Sequence, residues 1–342
     1  MTTSKTFFTG LALLLILGLA GCGGESPQRV YVAGYVNDDE GNNVATLWID
    51  GEPQTIAVNA QASSVFVAKN NIIYVAGSTR EEYDFTATLW KIQGDKISQI
   101  TLDKAGTYAN SVSATDGGEV YVSGHEYGDN DEGVYWKVSG TKVTRIPLDT
   151  MQENMEATAR AICVAPNGDV YVAGKVSYLE MGGDWFAVIW KNGEGQYLSD
   201  GKYAEADAIY IAGNGDVHVA GQKTLSHRVA VVWKNNVLQY LSKGPMESMA
   251  YAIFATPDGD VYAAGYERDR NQLKDLGIVW KNGTKQIITD NGAASSIYVS
   301  HEDDVYVAGR QITDPSRAML WKNATAQPLA NEGSTANSVF VK

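Results

Sequence analysis

The sequence predicts an all-β fold: a seven-bladed β-propeller of four-stranded antiparallel blades, closed by pairing the C-terminal strand with the N-terminal blade. Three observations carry this. The pentapeptide Val170-Tyr171-Val172-Ala173-Gly174 returns with small changes at seven places, ending on Gly34, Gly77, Gly124, Gly174, Gly221, Gly265 and Gly309. The glycines are 43, 47, 50, 47, 44 and 44 residues apart, the period of propellers and solenoids. Each unit also carries one tryptophan in register, at Trp48, Trp90, Trp136, Trp190, Trp233, Trp280 and Trp321. Finally, one unit is divided between the chain ends. The repeats open at Val30 on a second strand, whereas Ala336 to Lys342 matches the first strand Ala62 to Val67 with no second strand after it. A solenoid gains nothing from such a split, but a ring loses its free edges by pairing the two ends.

Ahead of the repeats stands a separate unit. Lys5 is the only charge in residues 1–21, and the apolar run Leu11 to Leu19 leads into Leu19-Ala20-Gly21-Cys22. The run is too short to span a bilayer. Its basic start, apolar middle and small residues before a cysteine resemble a bacterial lipoprotein signal with its lipobox. The resemblance implies cleavage before Cys22, lipidation of that thiol and attachment to the cell envelope. With Gly23 after the cysteine, it implies the outer membrane of a Gram-negative host. An ordinary secretory signal with an incidental cysteine is the alternative. Residues 22–29 read as a short polar tether, and residues 30–342 as the propeller.

Composition describes a folded, turn-rich chain: 44% hydrophobic, 20% charged, with 35 glycines. Loss of the leader moves the formal net charge from −13 to −14. A surface this acidic argues against nucleic acid or anionic lipid as a partner, since both need a basic footprint. The cysteines are Cys22 and Cys163, so a lipidated Cys22 leaves no disulfide, and packing has to hold the fold. Cys163 lies in the apolar run Ala161 to Val164, where other repeats carry Phe66, Tyr210, Phe254, Tyr298 and Phe340. That place suits a buried inert thiol.

Within each unit the four strands follow from turns and patterning. In the fourth they are Ala161 to Val164, Val170 to Gly174, Ala187 to Lys191 and Gln196 to Leu198. Pro166-Asn167-Gly168-Asp169 supplies the positive φ of a tight hairpin between the first two. Asn192-Gly193 does the same between the last two. The tryptophans follow a small and an aliphatic residue at one fixed position, so packing between units explains them better than sugar stacking. Trp185, outside this register, is expected in a loop and exposed. An Ala-x-x-Ile strand, a hairpin into a strand ending in glycine and an aliphatic-Trp strand together resemble bacterial extracellular propeller repeats of the HAF-like kind. This resemblance covers Val30 to Lys342 and implies the fold, not an activity.

Antiparallel strands put the loops entering strand one and those leaving strand two on one face. Tyr35 to Val44, Ser78 to Thr86, His125 to Glu132, Asp149 to Thr158, Lys175 to Phe186 and Tyr266 to Leu276 read as long, dissimilar connections there, while the other face has tight turns. Function concentrates on variable loops set on a rigid scaffold. Two register positions vary while their neighbours stay constant. One lies in strand one: Ser63, Asn110, Arg160, Asp207, Tyr251, Ser295 and Asn337. The other follows the pentapeptide glycine: Tyr35, Ser78, His125, Lys175, Gln222, Tyr266 and Arg310. Both are expected to ring the mouth of the central channel. The candidate ligand-binding residues are Tyr35, Asn110, His125, Arg160, Lys175, Asp207, Tyr251, Tyr266, Arg310 and Asn337. A glycan, small molecule or protein suits such a mouth, and so does a merely water-filled funnel.

Other constellations are weaker. Asn37 to Gly41 and Asp129 to Gly133 are acidic but lack the distal glutamate of a calcium loop, and the four histidines are scattered in the register. No metal and no cofactor is therefore expected. No Gly-x-Ser-x-Gly elbow and no phosphate-binding glycine loop occurs. Asp207, Asp184 and Glu180 are candidates for the carboxylate pair of a glycoside hydrolase or lyase. The reading is a monomeric, lipid-anchored propeller that binds a ligand at this face. An envelope hydrolase or lyase using carboxylates and His125, or a protein-interaction scaffold, are the competing classes.

Overall fold

The computed structural model describes residues 28–342 apart from 83, 129–130, 181–182 and 270–273. The leader, Cys22 and most of the tether lie outside the described residues, as do Asp129 and Asn130. Among those described, 28 strands form seven four-stranded antiparallel sheets. The inner strands are Ser334–Val341 in blade one, then Ala60–Val67, Thr107–Ala114, Met155–Val164, Ala204–Ile211, Glu247–Ala255 and Gly292–Val299 in blades two to seven. Each packs against the inner strand of the next blade. Ser334–Val341 pairs with Val30–Asn37 from Val30↔Val341 to Val36↔Ser334, which closes the ring.

Strands are longer than the sequence suggested. Blade four consists of Met155–Val164, Val170–Tyr178, Trp185–Lys191 and Glu194–Lys202. The expected long connections are largely the arms of hairpins: blade one pairs out to Asn37↔Asn43, blade two to Glu81↔Asp84 and blade four to Ser177↔Trp185. Continued pairing satisfies backbone groups that a loop would leave to water. Trp185 accordingly begins a strand. It is half-buried, with its ring edge-on to Tyr203 at 5.0 Å.

All seven register tryptophans are at most 1% exposed, and they wedge between neighbouring blades. Some find a polar partner for the indole N–H: Trp136 donates to Asp103 at 2.9 Å and Trp190 to the Asp149 carbonyl at 2.7 Å. The residues after the tryptophan form a lock on the turn face. Lys191 pairs with Asp169 at 2.7 Å and lies 5.5 Å over the Tyr171 ring, while Asn192 accepts from Val170 N and donates to Asp169. The same lock recurs as Lys234/Asp216/Asn235, Lys281/Asp260/Asn282 and Lys322/Asp304/Asn323. Hydrogen bonds from Lys191, Asn192 and Asn167 hold the Asp169 carboxyl down at about 2.

An aromatic belt narrows the channel. Tyr210, Phe254, Tyr298, Phe340 and Phe66 follow one another on successive inner strands with ring centroids 4.7 to 5.1 Å apart. Blades three and four carry the smaller Ser113 and Cys163 at this position. Cys163 retains some surface, but its neighbours enclose the sulfur, and burial pushes its thiol up to about 11. A thiol so protonated is a poor nucleophile.

Candidate functional site: the channel mouth

Every inner strand carries a β-bulge at one register position. Pairing skips Asn337, Ser63, Asn110, Arg160, Asp207, Tyr251 and Ser295 in turn. These are the seven varying residues of strand one. A bulge leaves its extra residue outside the ladder and re-aims the side chain. The pentapeptide glycine makes the bulge possible. A Cβ on Gly34, Gly77, Gly124, Gly174, Gly221, Gly265 or Gly309 would sit 1.9 to 2.1 Å from the carbonyl oxygen two residues before the bulge. Backbone occupies the space of a side chain, so only glycine fits.

The second varying position lies alongside the first on the adjacent strand, and contacts between the two cross from blade to blade. Asn110 donates through Nδ2 to the Ala159 carbonyl of blade four at 2.7 Å and meets His125 Nδ1 at 3.3 Å. His125 stacks on Tyr108 at 5.2 Å, and burial lowers its pKa, so the ring is neutral above the ordinary histidine range. Asn337 makes the bond equivalent to that of Asn110, to the Ala62 carbonyl at 2.9 Å. Tyr35 is half-buried, its hydroxyl accepting from Thr335.

Charge is confined to blades four to seven. Lys175 pairs with Glu205 at 2.9 Å and Arg160 reaches the same carboxylate at 3.8 Å, while Gln222 donates to it at 3.4 Å. Asp207 lies two residues along. Its Oδ2 is shut off from solvent and has no hydrogen-bond partner, although the residue as a whole keeps some surface. Burial, aided by the Glu205 charge and opposed by Arg160 and Lys175, pushes the Asp207 carboxyl up to about 7. Gln222 Oε1 is a second buried acceptor without a partner. In blade six, Tyr251 and Tyr266 stack at 5.7 Å and both hydroxyls donate to the Met249 sulfur, at 3.5 and 3.1 Å. Arg310 of blade seven is exposed and forms no ion pair or hydrogen bond among the described residues.

The structure thus gathers Arg160, Lys175, Asp207 and Gln222 with Glu205, and places Tyr251, Tyr266 and Arg310 on the following blades. Asn110 and His125 stand on the uncharged side with Asn337 and Tyr35. Sequence reasoning missed Glu205. It alternates with two alanines in Ala204-Glu205-Ala206 and so reads as an ordinary outward strand residue. Asp184 pairs instead with Lys202 at 2.7 Å, away from this cluster, and Glu180 lies beyond the end of its strand. Asp38 accepts from the backbone of Glu40 and Asn42 in its own turn. Among the described residues no three His, Cys, Asp or Glu side chains converge as metal ligands.

Two concavities lie elsewhere, on the turn face between blades. One of about 740 Å³ includes Tyr171, Ile189, Lys191 and Leu198; one of about 610 Å³ includes Tyr262, Val279, Lys281 and Ile288. These are equivalent positions in two repeats, so blade packing generates both grooves. The unpartnered buried carboxyl at the mouth has no such repeat-wide origin, which makes the mouth the better candidate site.

No protein-family model matches the chain, and no curated protein does. Solved structures share its fold. The β-propeller domain of the Trilobed protease from Pyrococcus furiosus is 11% identical over 90% of this chain and 94% of that one, with a TM-score of 0.57. A PL25 ulvan lyase, a polysaccharide lyase, is 9% identical over 94% and 93%, with a TM-score of 0.56. The acylaminoacyl peptidase of Pyrococcus horikoshii is 14% identical over 90% of this chain but only 51% of that one, at 0.54. At these identities the likeness is one of fold alone.

Proposed function

We propose that this chain is a lipid-anchored propeller of the cell envelope that binds a saccharide at its channel mouth. The carrying observation is the set of seven glycine-enabled bulges. They deliver dissimilar polar side chains to one ring, among them exposed Arg160 and half-buried Asp207 and Tyr251. Tyr251, half-buried and stacked on Tyr266, offers an aromatic ring to a sugar. The polysaccharide acted on by the ulvan lyase of like fold is consistent with the same class of ligand. The anchor rests on Leu19-Ala20-Gly21-Cys22, and the HAF-like repeat plan agrees with an extracytoplasmic address.

A second reading, an envelope hydrolase or lyase at the same mouth, draws on Asp207. A carboxyl pushed up to about 7 is poised to give or take a proton near neutrality. A saccharide array tests the binding reading: the parent should retain a set of sugars that Tyr251→Ala and Arg160→Ala lose. Hits that survive both substitutions rule the mouth out. Depolymerisation of a bound polysaccharide by the parent, absent from Asp207→Ala, selects the enzyme.

A further inference from the structure

The chain enters the propeller on the turn face, where contacts with three blades hold it. Gln28 accepts from the Tyr306 hydroxyl of blade seven at 3.3 Å. Arg29 exchanges both backbone hydrogen bonds with Lys342, at 2.6 and 3.0 Å, and its guanidinium pairs at 3.0 Å with Asp50 in the outer turn of blade one. Lys342 in turn donates through Nζ to the Ala68 carbonyl at 2.6 Å and to Asn71 at 2.7 Å, in the first hairpin of blade two. All these partners stand at the strand ends remote from the mouth, and Val30–Asn37 runs from them toward it. The point of entry is therefore fixed on the turn face, beside the innermost strand of blade one.

Cys22 precedes Gln28 by six residues, and six fully extended residues span at most about 22 Å. Two routes would bring the mouth against a membrane that holds Cys22. One threads the channel, whose inner strand Ser334–Val341 is eight residues long and so about 26 Å in height. The aromatic belt narrows that route as well. The other passes outward over strands three and four and then along the seven residues of the outer strand Glu52–Val58, roughly 35 Å altogether. Both are longer than the tether can reach.

We propose that the turn face lies toward the membrane that holds the anchor and that the mouth opens away from it, so that its saccharide is presented from the aqueous side and not by lipid headgroups of the anchoring leaflet. The inference rests on the lipid-anchor part of the reading above and adds the direction in which the site looks. Tether length alone sets this orientation, without affinity of the turn face for lipid. Lys191, Lys234, Lys281 and Lys322 on that face are each paired with an aspartate, so their charges are already engaged and do not form a free basic patch for anionic headgroups.

Energy transfer on the acylated full chain in vesicles of phosphatidylethanolamine and phosphatidylglycerol, with an acceptor dye on the lipid headgroups, tests the orientation. The donor dye is attached at Gly213→Cys, in a turn-face hairpin where a Cβ meets nothing within 4 Å, or at Asp39→Cys, exposed at the mouth-face tip of blade one. Acylation blocks Cys22, and the enclosed Cys163 thiol, pushed up to about 11, reacts slowly. The donor at Asp39→Cys should stand about 25 Å farther from the headgroups than the donor at Gly213→Cys, the height of a blade. Inserting about 20 glycine and serine residues after Gly24 frees the domain to turn and should shrink this difference at least twofold. A mouth-face donor as close to the bilayer as the turn-face donor, or closer, overturns the orientation. A difference that survives the longer tether shows that the turn face itself binds lipid, and overturns the tether as the cause. A chain that carries no acyl group and stays off the vesicles overturns the anchor and the orientation together, while the saccharide reading of the mouth stands.

Discussion

Gly221 faces the carbonyl of Glu205 so closely that a Cβ in its place would lie 2.0 Å from the oxygen. This contact lets the chain bulge at Asp207, and its six counterparts shape the rest of the ring. The neighbour is backbone, so it cannot rotate away. Gly221→Ala should therefore cost at least about 1–3 kcal/mol, the range for an overpacked core. Gly213→Ala has nothing within 4 Å of its new Cβ and should stay within about 0.5 kcal/mol. Chemical denaturation of the two variants checks the contrast; equal midpoints would remove the steric account of the bulge.

Trp190→Ala should cost roughly 3–5 kcal/mol, since the fully buried indole leaves a cavity between blades and an unpaired Asp149 carbonyl. Arg160→Ala, at an exposed ring position, should change stability by less than about 0.5 kcal/mol. Thermal melts of both distinguish residues that build the scaffold from those that the scaffold displays.

Stability should respond to pH in two opposite ways. The Asp169, Asp216, Asp260 and Asp304 carboxyls are held below their ordinary value by lysine and asparagine partners. Their contribution is complete above about pH 4 and is lost as pH falls toward about 2. Asp207 works in the other direction. With its folded value raised, the native state binds more protons than the unfolded one between about pH 4 and 7, so stability falls as pH rises across that window. Asp207→Asn should melt above the parent at pH 8 and converge with it at pH 4. A parent advantage at pH 8 would show that the carboxylate is ionised and well satisfied.

Ring closure can be tested by deleting residues 336–342. Val339 and Val341 are 5% and 2% exposed within the blade-one sheet. At about 1.5–3 kcal/mol for each buried aliphatic side chain, the loss should amount to several kcal/mol, before the newly opened edges are counted. A truncated chain melting within a degree or two of the parent would contradict closure by this strand.

How much of this was legible in the sequence follows from periodicity. The pentapeptide, the tryptophan and the divided unit recur at fixed spacing, so blade number and closure could be read directly. The varying residues were visible as positions, because alanine and glycine hold steady around Arg160 and Asp207. That they are bulges was not, since an inserted residue changes pairing without changing composition. Hairpin arms such as Asn37 and Ser177 looked like loops because their polar residues carry no alternation. Glu205 was hidden because its importance comes from Lys175 and Arg160 on another blade, a contact that no local pattern records.

Hydrogen exchange with and without a saturating concentration of a sugar retained on the saccharide array tests the central claim most directly, because it reports where a ligand sits independently of any substitution. Slowed exchange is expected in the inner strands Met155–Val164, Ala204–Ile211 and Glu247–Ala255, with the turns at 166–169 and 213–216 unchanged. Slowing confined to those turns and the grooves beside Lys191 and Lys281 would place binding on the opposite face and contradict it.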